Sequence, residues 1–358
     1  MAATVNECLD TPVTAPEPGD GESGGTAATL GEMVGRQFRL RDHYEVGREK
    51  VREYARAVQA EHRLHFDDEA SAAHGLPRLI APPTFAALLA APAQTALTDQ
   101  LSGCDLTTAV QTQQHLELHR PIVVGDRLSS TIALRSHREA FGGDLMLVDN
   151  YIRDQYGCPV VTSHTSVIAR SGGSDMGRAL SALNPTILRH DVRNGAAPEV
   201  VDVVGGAASA RAEASTLRGL DRRTVAVGDA LPTRQFRLSY GDLVHYAGLS
   251  GDPNPIHWYE PATALTGLGP GVVAHGMLTM GLGASYLTGW ARDPRALREY
   301  SVRWTSPALV VPGRLSVIEF TGKVAALHRD SGLATVAIGA TQNGRRLFGR
   351  ATATVKLG

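Results

Sequence analysis

The feature that most limits what this chain can fold into is internal repetition. REYARAV, from Arg52, aligns with VHYAGLS, from Val244, so that Tyr54 faces Tyr246 and His65 faces His257, both at an offset of 192 residues. PIVVGDRLS, from Pro121, returns as PALVVPGRLS, from Pro307. Similar features recurring in one order point to duplication, and a duplicated chain folds as two like halves. At 358 residues, each half is long enough to enclose its own hydrophobic core.

Within each repeat, helical material comes first and strands follow. REKVREYARAVQ carries Val51, Tyr54, Ala55 and Val58 at helical spacing. FAALLAAPAQTAL, after Pro82 and Pro83, predicts a second apolar helix that Pro92 shortens or kinks. Strands are predicted near 113–120, 127–136, 145–153 and 160–169, bounded by Gly, Asp and charge. In the second repeat a short helix is predicted through Asp242 to Tyr246, and a Gly-rich apolar helix after His275. Strands follow near 299–304, 314–327, 333–341 and 346–355. Helix first and antiparallel strands after is an α+β arrangement, a sheet with a helix laid across one face.

Composition marks the boundaries. Residues 1–35 contain six acidic residues and no Lys or Arg, and PVTAPEPGDGESGG lies among them. Such a segment buries too little surface to offset the entropy of ordering it, so a disordered leader is expected there, with order beginning near Phe38. Residues 36–170 form the first half and 223–358 the second. Between them, 171–222 has linker composition, although VVDVV, from Val200, has the make-up of a short strand.

The balance of 35 basic and 36 acidic side chains gives a net charge of -1 and no basic footprint for nucleic acid. Apolar stretches are broken by Gly, Pro or charge well short of a membrane span, and the first residues lack a secretory signal. Cys8, Cys104 and Cys158 are odd in number and widely spaced, which argues against a disulfide framework or a metal cluster and for a reducing cytoplasm.

The halves diverge where chemistry would sit. SGDPNPIHW, from Ser250, faces VQAEHRLHF, from Val58, so Asp252, Asn254 and His257 stand against Ala60, His62 and His65. Only the second half has the Asp. Gly251 and the two prolines predict a stiff turn able to place a carboxylate and an imidazole on either side of a small substrate. That pair suits acid–base work, since His titrates near neutral pH. The bland reading of Asp-Pro-Asn-Pro is an ordinary surface turn.

His275 and Gly276 stand at the expected start of the second apolar helix, where unpaired N–H groups and the positive dipole end favour a ligand. A thioester carbonyl placed there would gain stabilisation as charge develops on its oxygen, with Gly276 as the donor. Loss of a C2 proton to His257, with Asp252 helping a 3-hydroxyl leave as water, would complete a dehydration, and hydration runs the same path backwards. The two roles are exchangeable on sequence grounds. Asn254 and His275 are the candidate substrate-binding or orienting groups. GLGPG, from Gly267, lacks dinucleotide-fingerprint spacing, so no cofactor or metal is expected. Arg303, Arg314, Arg345, Arg346 and Lys356 are candidates for a positive rim, and Trp258 and Trp304 read as packing residues.

YAGLSGDPNPIHW followed by AHGMLTMG resembles the hydratase signature of the MaoC-like, R-specific hydratase and dehydratase family. The resemblance implies a double hotdog, in which each half is an antiparallel sheet wrapped around a central helix and the two halves form an internal pseudo-dimer. It implies Asp252 and His257 as the dyad and Gly276 as the oxyanion donor. From about 34 to 170, through DHYEVGREKVREYA and LIAPPTF, the chain looks like the non-catalytic subunit of the mycobacterial (3R)-hydroxyacyl-carrier-protein dehydratases. From about 223, through VGDALP and RRLFGRATATVKL, it looks like the catalytic subunit. Where that first subunit carries a cysteine near its central helix, this chain has Ala86 and Ala87. The implied substrate is an acyl thioester on acyl carrier protein, in fatty acid or mycolic acid elongation, or on coenzyme A in the nearest alternative. A thioesterase would need a nucleophile or an activated water at the carbonyl. A non-enzymatic acyl-binding protein would need the Asp252 turn packed inward. Further pairing into a homo-oligomer is left open.

Overall fold

The computed structural model describes residues 30–90, 109–140, 143–169, 200–202, 219–252 and 254–358, with positions 93, 97, 179, 182 and 183 besides. The expected leader lies outside them as far as residue 29, as does most of the expected linker and Pro92. Described structure starts earlier than Phe38. Helix α1 (Leu30–Met33) buries Met33 against Phe38, Ile132 and Leu134 in a small cluster of its own, enough apolar contact to order the turn.

The first half contains β1 (Gln37–Leu40), β2 (Tyr44–Glu45), α2 (Arg48–Ala57) and α3 (Asp68–Ala73). A helical stretch at 87–90 follows. Four long strands complete it, β3 (Val110–Leu118), β4 (Arg127–Ala140), β5 (Gly143–Arg153) and β6 (Pro159–Ala169). Each overlaps its predicted position. β7 (Val200–Asp202), inside the expected linker, pairs antiparallel with β1. Cys158 is disulfide-bonded, contrary to the expectation from spacing, so the cysteines no longer argue for a reducing compartment.

The second half repeats this order. It runs β8 (Ala230–Leu238), α4 (Tyr240–Ser250), α5 (Glu260–Leu265), β9 (Val272–Val273) and α6 (Gly276–Ala291). β10 (Leu297–Trp304), β11 (Leu309–Val310), β12 (Ser316–His328), β13 (Leu333–Gln342), β14 (Arg345–Arg346) and β15 (Phe348–Lys356) follow. β1 and β8 had no counterpart among the sequence-predicted strands. Both lie outside the expected four-strand runs, and in each the alternating stretch is only the four residues QFRL.

All pairings between the named strands are antiparallel, and one sheet runs through both halves in the order β7-β1-β4-β5-β6-β3-β10-β15-β13-β12-β8. The halves meet where β3 pairs with β10, from Glu117 opposite Glu299 to Gln113 opposite Arg303. The result is an open double hotdog.

Helix α6 is apolar on all sides because it is enclosed on all sides. Leu278, Met280, Leu282 and Leu287 are fully buried, and truncating any one to Ala costs about 2–5 kcal/mol. Its glycines admit close neighbours. A Cβ at Gly283 would fall 2.1 Å from the Tyr300 hydroxyl, and one at Gly281 would fall 2.5 Å from Val58 of the first half. Ser285 then donates to the Val58 carbonyl at 2.8 Å, tying the central helix of one half to the other.

Candidate active site

Local structure fixes the Asp252 turn. Ser239 and Asp242 form a reciprocal capping box at the start of α4, and the helix ends on Gly251 in the left-handed region (φ 71°), which a glycine occupies without penalty. Asp252 is therefore the first residue beyond a firmly terminated helix. Its Oδ1 accepts from the Asn254 N–H at 3.1 Å, and the Asn254 Oδ1 accepts from the Ile256 N–H at 3.2 Å. Asn254 thereby caps a single 3-10 turn, Pro255–His257, that carries His257. Its carbonyl oxygen orients the turn, one of the two roles its sequence position suggested.

His257 is 8% exposed, and its Nδ1 lies 2.7 Å from the Val273 carbonyl oxygen on β9. A carbonyl only accepts, so Nδ1 carries a hydrogen and Nε2 holds the lone pair whenever the ring is neutral. That Nε2 stands 3.7 Å from Oδ2 of Asp252, whose side chain is 40% exposed. The site thus has a buried imidazole partnered by a carboxylate open to solvent, in place of a turn folded into the core.

His275 occupies the N-cap position of α6 but makes no capping bond. Its ring is stacked on His257, with centroids 3.7 Å apart and planes 24° from parallel, and the Tyr246 ring lies tilted against it at 4.9 Å. Both of its ring nitrogens are buried with no hydrogen-bond partner in the protein. Burial first, and the neighbouring His257 second, hold its pKa well below the usual histidine range, so it remains neutral.

Asp252, His257 and His275 bring ligand-capable atoms within 4.8 Å of one another, a cluster that spacing in the sequence did not suggest. His257 Nδ1 is already committed to the Val273 carbonyl, however, which leaves Nε2 as its one free ring nitrogen. The arrangement is better matched to handling a proton.

Gly276 opens α6 beside this pair. A Cβ there would lie 3.2 Å from Gln111 Oε1 and 3.4 Å from the Trp304 ring, so glycine leaves open the space at the helix N-terminus. Trp304 Nε1 donates to Thr279 Oγ1 at 3.1 Å, and Thr279 Oγ1 donates to the Gly276 carbonyl at 2.7 Å. Sequence reading had placed Trp304 with the packing residues. The fold adds that it walls the helix start.

The expected arginine rim is dispersed. Arg303 lies with Arg350 and Gln113 along a cavity of about 210 Å³ on the strands β3, β10 and β15. Arg345 Nε donates to Ser306, and Lys356 donates to the Ser331 carbonyl.

A double hotdog with an Asp/His pair beside the start of its central helix is the architecture of the MaoC-like class, and comparison with known proteins agrees. Residues 223–342 match the MaoC like domain and 32–163 the FAS1-like, dehydratase domain region. A solved MaoC-like dehydratase is 38% identical, with a TM-score of 0.83 over 92% of this chain and 100% of its own. A UPF0336 protein of Saccharopolyspora erythraea is 40% identical over 144 residues, 40% of this chain and 92% of the relative. RV0216 of Mycobacterium tuberculosis, described as a double hotdog, shares the fold at 14% identity and a TM-score of 0.61, over 92% of this chain and 98% of its own. The chain belongs to the MaoC-like dehydratase family and is a hydro-lyase of that class.

No helix among the described residues is long and apolar enough to cross a membrane.

Proposed function

We propose that this protein interconverts (3R)-hydroxyacyl and trans-2-enoyl thioesters, with Asp252 and His257 as the reacting dyad and Gly276 as the oxyanion donor. The observation that carries the reading is the Nδ1 bond from His257 to the Val273 carbonyl, which leaves Nε2 to accept a proton beside Asp252.

In the dehydration direction Nε2 takes the proton at C2 while the thioester oxygen gains negative charge at the Gly276 N–H. Asp252 passes a proton to the 3-hydroxyl, which leaves as water. The dyad then holds a carboxylate and an imidazolium, and the reverse reaction starts from that pair. Transfer of one proton between the two groups resets the pair for the next turnover. His275, neutral and stacked beneath His257, supports the ring without competing for that proton.

The first half, 36–170, is a non-catalytic partner that completes the pair, with 171–222 as the connection and 223–358 as the catalytic half. The likeness of the two halves to the two subunit types of the mycobacterial (3R)-hydroxyacyl-carrier-protein dehydratases supports acyl carrier protein as the carrier. It also supports a place in fatty acid or mycolic acid elongation.

The test compares wild type with Asp252→Asn on (3R)-hydroxyacyl and trans-2-enoyl thioesters, each on coenzyme A and on carrier protein. Stereospecific water transfer that collapses in the variant is the expected result, with faster turnover on carrier protein. Preference for coenzyme A with strong hydration would move the protein to acyl-CoA breakdown or polyester supply. Thioester binding with no turnover at any chain length would make it an acyl-binding protein.

A further inference from the structure

The half that lacks the dyad nevertheless sends a side chain to the start of α6. Along β3 the inward positions are Gln114 and Leu116, both buried, while Gln113 lies on the other face beside Arg303. Strict alternation would put Gln111 outside with Gln113. The pairing of β3 with β6 slips by one residue between Gln111 and Gln113, and such a bulge turns the residue before it to the opposite face. Gln111 therefore points inward, with its Oε1 3.2 Å from where a Cβ of Gly276 would be.

Its amide is held and oriented. Nε2 donates to Gln114 Oε1 at 2.5 Å and lies 3.8 Å from Met277 Sδ. Gln114, 3% exposed, also accepts from Thr165 Oγ1 at 2.8 Å and donates to Ser163 Oγ at 2.7 Å. Two neighbours decide which way the Gln111 amide faces. The Met277 thioether accepts and does not donate, and the N-terminus of α6 presents N–H groups and positive potential. Both favour Nε2 toward Met277 and Oε1 toward Gly276. A hydrogen-bond acceptor is thus fixed at the site by the Gln114–Thr165–Ser163 network of the other half, in which Gln114 and Thr165 are buried.

We propose that Gln111 is a specificity residue whose Oε1 accepts the N–H of the cysteamine unit that links an acyl thioester to its carrier. This rests on the dehydratase reading above. With the thioester oxygen at the Gly276 N–H, the sulfur and two methylenes that follow bring the cysteamine nitrogen back toward the wall formed by Gln111, Met277 and Trp304. That N–H is common to coenzyme A and to the phosphopantetheine of a carrier protein, so the contact recognises the arm whichever carrier holds it. It also gives the first half a role in recognition beyond completing the sheet.

The experiment uses the full chain and two trans-2-enoyl thioesters that differ in one group. One is the N-acetylcysteamine thioester. The other is the thioester of 2-mercaptoethyl acetate, in which an ester oxygen replaces the N–H. Wild type should prefer the amide compound by about tenfold in kcat/KM, chiefly through KM, the scale of one well-made hydrogen bond at an enclosed site. In Gln111→Leu the preference should vanish, while continued turnover of the ester compound reports an intact dyad and fold. Gln111→Met, closer in length and shape, carries the same comparison if Leu disturbs the sheet. Equal rates on both compounds in wild type, or a preference that survives in the variants, would overturn the assignment. No wild-type turnover of either compound, or of the carrier-bound thioesters, would remove the dehydratase reading itself and this inference with it.

Discussion

His65 and His257 occupy the same place in the two halves and have different fates. Each sits on a 3-10 turn capped from three residues earlier, by His62 Nδ1 in one half and Asn254 Oδ1 in the other. Each points Nδ1 at a backbone oxygen, Ile80 for His65 at 2.8 Å and Val273 for His257 at 2.7 Å. The next residue is equivalent too, since Ala81 and Ala274 donate to Ile122 and Ala308, both at 2.8 Å. Two residues further on, the second half has Gly276 and the first has Pro83. Proline has no N–H to offer a developing oxyanion. Ala60 stands where Asp252 would be. The first half has kept the histidine, its tautomer-setting bond and its scaffold, and lacks both the carboxylate and the helix-start N–H. On the proposed mechanism, catalysis at such a site depends on what surrounds the imidazole more than on the imidazole.

Burial expresses the same contrast. His65 is fully buried with its Nε2 unpartnered, and burial brings its pKa down to about 4. His257 keeps a carboxylate within reach and a side-chain exposure of 11%.

The largest effect should come from making the second half resemble the first at its acid. Asp252→Asn should lower kcat/KM by roughly a thousandfold, the scale of a lost general acid–base group, with the melting temperature little changed. Steady-state kinetics with a thermal melt checks both. Gly276→Pro copies Pro83 into the active half. Proline is tolerated at the first position of a helix, so α6 should still form while the donor is lost, and kcat should fall by about 100-fold. A full-strength kcat in that variant would exclude Gly276 as the donor.

The reverse conversion should fail. Ala60→Asp, combined with Asp252→Asn, should restore no measurable activity, because Pro83 still withholds an N–H. Recovery of turnover would break the comparison at its main point.

The smallest effect concerns stability. His65 has a folded pKa near 4 and an unfolded value near 6.5, so the unfolded chain binds more protons between those limits. Its contribution is whole above about pH 6.5 and is lost as the pH falls toward 4, by about 3 kcal/mol in all. His65→Phe should flatten that part of the stability profile, as denaturant titrations at pH 4.5 and 7.5 would show.

Much of the fold was legible because the repeats carry it. The eight predicted strands overlap observed ones, and the Asp252–His257 turn followed from Gly251 and its prolines. Other features left no local trace. In β1 and β8 the alternation is confined to QFRL, too short a stretch to stand out. Order from Leu30 depends on Met33 meeting Ile132 and Leu134, far away in sequence. The stacking of His275 on His257 joins residues from two turns, and nothing in AHGMLTMG indicates it. Gln111 is the sharpest case, because alternation assigns it to the wrong face and only the pairing partner reveals the slip.

The sequence by itself determined the duplication, the strand pattern of each half and the asymmetry that leaves one Asp. These are local or periodic properties, written in residue types and spacing. The tertiary structure alone decided which nitrogen of His257 holds the lone pair, what lies beneath its ring, and that Gln111 crosses from one half to the other. Each of those is set by a contact between distant segments, and such contacts exist only once the sheet has wrapped around α6.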